Sequence, residues 1–130
     1  MAVRWAGRIL LSLGTLHLVV MGAQNTQYLG DWFTGTLWNQ PREEFIHPAG
    51  AAGAFWVTIG SFAVPLILLG VLVLDLARRE VTVPPVIGWA LAAWGVVGAA
   101  ILEPTPMILL LVPAVLLIRA AAQDRPRSSR

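Results

Sequence analysis

The chain contains no cysteine, which removes disulfides, thiolate catalysis, iron–sulfur ligation and the usual cysteine-based zinc sites from consideration. It contains no lysine either, and only 12% of its 130 residues are charged, roughly half the share of a soluble domain. Imidazole is scarce: His17 and His47 are the two histidines, far apart and in no His-x-x-x-His pattern, so no metal site is expected and no cofactor is implied. A Gly-rich phosphate loop, a serine elbow, a nucleotide fingerprint, a heptad pattern and an internal repeat are all missing,.

What the chain has is apolar length, since 57% of it is hydrophobic and its mean hydropathy is +0.72. Eight of the nine basic residues gather in three places. These are the N-terminus (Arg4, Arg8), the connection at Arg78 and Arg79, and the tail (Arg119, Arg125, Arg127, Arg130). Positive charge is retained on the cytoplasmic side during membrane insertion, so three clusters on one side require two crossings between each neighbouring pair. The expected architecture is all-α, a membrane-spanning four-helix bundle in the cell membrane, multi-pass, with N-terminus and C-terminus cytoplasmic. Nucleic acid is a poor explanation of the arginines, because anionic lipid headgroups neutralise them at that surface.

The expected four-span domain covers 1–122, with spans at about 5–23, 51–74, 86–102 and 107–122. The tail, 123–130, is polar and expected to be disordered. Ala51 to Leu74 is uncharged throughout, long enough to cross with some tilt. Pro84 and Pro85 open the third span where a helix start tolerates proline, and Pro113 is expected to kink the fourth. A rival for the first span is a secretory signal peptide ending at Met21-Gly22-Ala23.

The 24–50 segment is expected to be an outer, partly amphipathic capping loop between helices 1 and 2. Its Tyr28, Trp32, Phe33, Trp38 and Phe45 alternate with Asp31, Glu43, Glu44 and His47, a mixture suited to the headgroup layer. Small residues mark where helices meet in lipid: Gly7, Gly14, His17 and Met21 share one face of the first helix, and Gly88, Ala92, Gly95 and Ala99 form a stripe on the third.

His17 lies ~9 Å inside the outer end of its span at 1.5 Å per residue, a depth where an ionisable group is costly and functional by default. The competing explanation is packing, with the imidazole bonded across helices to a hydroxyl such as Thr58 or Ser61. Glu103 falls at the outer membrane edge, and the two are the candidate proton-transfer pair, a carboxylate beside an imidazole being suited to exchange protons with a ligand. Trp32, Trp38, Trp56 and Trp94 are the candidate ligand-binding walls.

The pieces WAGRILLSLGTLHLVV, FWVTIGSFAVPLILLG and PMILLLVPAVLLI resemble a family of small bacterial four-helix membrane proteins of unknown function, and are loosely similar to DoxX-like proteins. The landmarks are His17, the Phe55-Trp56 pair and Pro113-Ala114. The resemblance implies a bacterial inner-membrane bundle and carries no catalytic residues.

Three functions fit. The first is binding of a lipophilic small molecule such as an isoprenoid, sterol-like or quinone molecule in an outward-facing pocket, with isomerisation or cyclisation as the attainable chemistry if the protein is an enzyme, since aromatic walls stabilise a carbocation. The second is a proton-coupled small-molecule transporter or transporter subunit working as a homo-oligomer, and the third an accessory subunit of a membrane complex. The expected partners are the lipid bilayer and that small molecule.

Overall fold

A computed structural model describes residues 1–38, 40–101 and 105–123, with backbone alone at Glu44 and Phe45. The described residues are helical and turn structure with no strand. The α-helices are α1 (Ala2–Gln24), α2 (Arg42–Ile46), α3 (Gly50–Val57), α4 (Ala63–Arg78), α5 (Pro85–Ile101) and α6 (Leu111–Gln123), with 3₁₀ turns at Thr26–Tyr28 and Pro106–Leu110. They fall into two compact units, residues 12–67 and residues 1–11 with 68–130.

In the unit of residues 12–67, the uncharged stretch expected as one helix is two. Helix α3 ends at Val57 and α4 begins at Ala63. The break is chemically encoded. Pro65 has no N–H for the carbonyl four residues earlier, at Ser61, and its ring would crowd that carbonyl in a continuous helix. Placed in the first turn of α4, the proline is harmless. Hydroxyls replace the lost ladder: Thr58 Oγ1 donates to Ala54 O at 2.6 Å, and Ser61 Oγ donates to Thr58 O at 2.6 Å while accepting from the Ala63 N–H at 3.2 Å. Such local bonding by serine and threonine competes with helix continuation. Gly60 completes the turn, because a Cβ there would lie 3.0 Å from the Trp56 ring and 3.1 Å from the Phe55 ring.

The 24–50 segment leaves α1 through Asn25, whose Nδ2 donates to Met21 O at 2.8 Å and satisfies a terminal carbonyl,. Turns follow as far as Trp38, then the short α2. The segment is tied back to α3 by Trp32, whose indole N–H donates to Ala51 O at 3.1 Å.

The other unit is built on close helix approach. On α5, Gly88, Leu91, Gly95 and Gly98 are the buried residues. A Cβ on Gly88 would lie 3.0 Å from Ala114 O and 3.1 Å from Ile118 N, and one on Gly95 would lie 3.1 Å from Met107 O. The glycine stripe therefore receives the backbone of α6 and of the 3₁₀ turn before it. Pro113, expected as a mid-helix kink, stands in the first turn of α6, and the 3₁₀ turn occupies the preceding residues. In the same unit a Cβ on Gly70 of α4 would lie 2.7 Å from Leu11 N and 2.9 Å from Gly7 O. Helix α4 ends at Arg78 in a left-handed residue, Glu80 at φ 58°, with the Val81 N–H donating to Leu76 O at 3.0 Å in the manner of a Schellman cap.

Two helical segments, Ala2–Gln24 and Pro106–Gln123, are long and apolar enough to cross a membrane, and α5 is apolar but shorter. Buried residues make up 22% of the apolar window in the first and 33% in the second, low values for the core helix of a soluble protein. Large apolar side chains are exposed on every long helix, among them Leu16, Val19, Leu68, Trp89, Val97 and Val112.

Candidate functional site

The break between α3 and α4 leaves the Val57 carbonyl without its usual partner, because the Ser61 N–H turns to Thr58 O instead, at 3.1 Å. His17 takes that carbonyl. Its Nε2 lies 3.1 Å from Val57 O. A carbonyl only accepts, so Nε2 carries the proton and donates, and in the neutral ring Nδ1 holds the lone pair. The ring is fixed from a second side by Phe62, with centroids 4.6 Å apart and planes tilted by 50°. Gly14, one turn earlier on α1, makes the approach possible, since a Cβ there would meet Ala63 O at 2.7 Å.

The expected hydroxyl partners of His17 are therefore corrected. Thr58 and Ser61 spend their protons on Ala54 O and Thr58 O inside the break, and the imidazole bonds the backbone. The result is a helix terminus capped across the chain by an ionisable side chain. It can hold the break closed, and Nδ1 remains able to accept a proton or a donor group.

Beside the break stands an aromatic row. Trp32 meets Phe55 edge to face at 6.0 Å, and Phe55 meets Trp56 at 6.0 Å with planes at 81°. Trp32 and Trp56, two of the expected ligand walls, are thus joined through a residue that was not expected there, Phe55. Trp56 is 47% exposed, so the row presents a face. Trp38 is 78% exposed and belongs to no ring pair in this row. Trp94 lies on α5, in the other unit, and Glu103, the expected carboxylate partner of His17, lies outside the described residues.

Phe55 and Phe62 are the residues that sequence reasoning missed. The available signal was Thr58-Ile59-Gly60-Ser61 followed by Pro65, which together mark a helix break and place Phe55 and Phe62 on either side of it. His47 is exposed at the end of α2, where its N–H donates to Glu43 O at 2.8 Å. Glu44 and His47 stand at the Glu-x-x-His interval, yet among the described residues no group of three or more His, Cys, Asp or Glu could hold a metal ion.

Two pockets belong to the unit of residues 1–11 and 68–130. One, of about 240 Å³, is lined by Arg4, Arg8, Leu74 and Arg78. The other, of about 370 Å³, is lined by Arg4 together with Met1, Val3, Ala77, Glu80, Val81 and Thr82. Among the described candidates, His17, Trp32, Trp38, Trp56 and Trp94 line neither one.

No curated protein and no solved structure matches the chain. A family model does match, over residues 1–125, and it places the chain in DUF6463, a family of unknown function to which the protein belongs.

Proposed function

We propose that the chain is a multi-pass protein of the cell membrane, with four crossings and both ends cytoplasmic, that binds a lipophilic small molecule against the aromatic row of Trp32, Phe55 and Trp56. His17 is its polar contact. The observation that carries this reading is the half-exposed aromatic row beside an imidazole already oriented by Val57 O and Phe62. Apolar walls with one placed polar group are the usual make-up of a small-molecule site. The broad exposure of apolar side chains along α1, α4, α5 and α6 supports the bilayer as their solvent,. Taken together, α3 and α4 supply the second crossing, and the arginine clusters set the direction.

The test is native mass spectrometry with lipid extraction on the detergent-purified protein. Wild type should carry a discrete apolar molecule, Trp56→Ala should lose most of it, and His17→Ala should lose it or bind it more weakly. An empty wild-type protein, or retention unchanged in both variants, would overturn the reading.

A second reading has its own support. A helix broken within an apolar stretch, with an ionisable side chain on the exposed carbonyl, is the arrangement in which transporters handle coupling ions. Reconstituted vesicles containing a pH-sensitive dye should then acidify when the co-purifying molecule is added, and His17→Gln should abolish the signal. A wild-type protein that binds the molecule with no pH change refutes transport and keeps binding.

A further inference from the structure

The pocket lined by Arg4, Arg8, Leu74 and Arg78 plays no part in the function proposed above, and all of its residues lie in the other unit. Arg4 and Arg8 stand four residues apart on α1, and Leu74 and Arg78 stand four apart on α4, so each pair shares a helix face. The glycines bring those faces together. A Cβ on Gly7 would lie 2.8 Å from Leu74 Cγ, and one on Gly70 would lie 2.7 Å from Leu11 N. Backbones this close leave a narrow groove, and three arginines line it.

Among the described residues no carboxylate lines that groove. Asp75, the acidic residue nearest in sequence to Arg78, is held by Arg79 at 2.8 Å, the one ion pair among the described residues. Glu80 lines the adjoining pocket with Arg4 but not the three-arginine one. Arg8 is further oriented by Trp5, its guanidinium carbon 5.4 Å from the ring centroid. Like charges brought to one groove repel one another, and the repulsion is relieved by an anion carrying several acceptor oxygens. Guanidinium matches such oxygens two at a time, which makes arginine the preferred partner of phosphate.

We infer that Arg4, Arg8 and Arg78 form a binding site for a phosphate-bearing anion. The shared chemistry is a phosphate group in contact with three guanidinium groups, and its source is either a phospholipid headgroup or a phosphate compound from solution.

The experiment uses the full chain in two arms. In the first, nanodiscs containing equal phosphatidylglycerol and phosphatidylcholine are analysed by native mass spectrometry. In the second, the protein in a detergent without phosphate is heated with inorganic phosphate or with chloride at matched ionic strength. Retention of phosphatidylglycerol by wild type, reduced about tenfold in Arg4→Ala and Arg78→Ala but not in Arg119→Ala, identifies the headgroup as the source. Thermal protection by phosphate over chloride, lost in the same two variants and kept in Arg119→Ala, identifies the soluble source. The three arginines are exposed, so their replacement leaves the helices intact, which circular dichroism verifies. Failure of both arms in wild type, or equal loss in Arg119→Ala, overturns the site.

Discussion

Gly70→Ala should destabilise the protein although alanine is the better helix former. The added Cβ would lie 2.7 Å from Leu11 N and 2.9 Å from Gly7 O. Ordinary contact between such atoms begins near ~3.5 Å, so the helices must separate locally by roughly 0.8 Å. Both opposing atoms are backbone, and no rotamer change can move them aside. Overpacking of this kind costs about 1–3 kcal/mol, while replacing glycine inside a helix gains up to about 1 kcal/mol. The helix term is separable, because Gly22 of α1 has nothing within 4 Å of its would-be Cβ. Gly22→Ala takes the propensity gain without the collision, and the stability gap between the two variants isolates the packing cost at about 1–3 kcal/mol.

Thermal unfolding in one detergent, followed by circular dichroism, measures that gap. Wild type should fall between the two variants or close to Gly22→Ala, with Gly70→Ala several degrees below. Gly98→Ala is an informative third case, since the atoms its Cβ would meet belong to the Met107 side chain, which is flexible enough to yield. Its loss should be smaller than that of Gly70→Ala. Equal midpoints for Gly70→Ala and Gly22→Ala would refute the close approach of α1 and α4 at Leu11. With it would go the geometric basis of the arginine groove.

Three more outcomes can be measured directly. His17→Ala should cost about 1–3 kcal/mol by leaving the Val57 carbonyl without its donor, and His17→Gln, which keeps an N–H, should recover part of it in the same unfolding assay. Trp32→Phe retains a ring against Phe55 but loses the bond to Ala51 O, so it should lower stability by about 1 kcal/mol, and no loss would show that the indole N–H is not what ties the 24–50 segment to α3. The cysteine-free chain suits single-cysteine labelling: in intact cells Thr36→Cys should react with a membrane-impermeant maleimide and Ser129→Cys should react only after lysis, the reverse result inverting the proposed topology.

The all-helical class was legible because it follows from composition and hydropathy. The glycine stripe of α5 announced a close-packed face, and Gly88 and Gly95 do receive the backbone of α6 and its 3₁₀ turn. His17 was legible for the same reason, as a costly group in an apolar stretch. Its partner was not, because the sequence does not show that the Thr58 and Ser61 hydroxyls donate to Ala54 O and Thr58 O in their own backbone. Phe55 escaped notice as a wall residue because its ring contacts depend on a break that hydropathy averages away, Thr58 to Phe62 being as uncharged as their surroundings.

The two helical irregularities share one cause, and it changes how the site is understood. Pro65 and Pro113 both stand in the first turn of a helix, and each is preceded by a short non-α segment, Thr58 to Phe62 in one case and the 3₁₀ turn Pro106–Leu110 in the other. A proline acts at the carbonyl four residues before it, so its effect falls one turn N-terminal to where a kink was expected. At Pro113 the displaced segment packs as a 3₁₀ turn, with Met107 and Leu110 buried against the glycines of α5. At Pro65 the carbonyl that loses its N–H is Ser61 O, and within the break the Ser61 N–H turns to Thr58 O, which leaves Val57 O open to a donor from another part of the chain. His17 supplies that donor. An alanine in place of the histidine would leave the break unsupported, whereas an alanine in place of Pro65 would restore the missing N–H and remove one reason for the break. The proline and the local hydroxyl bonds therefore interrupt the helix, and the imidazole takes the Val57 carbonyl that the interruption leaves open.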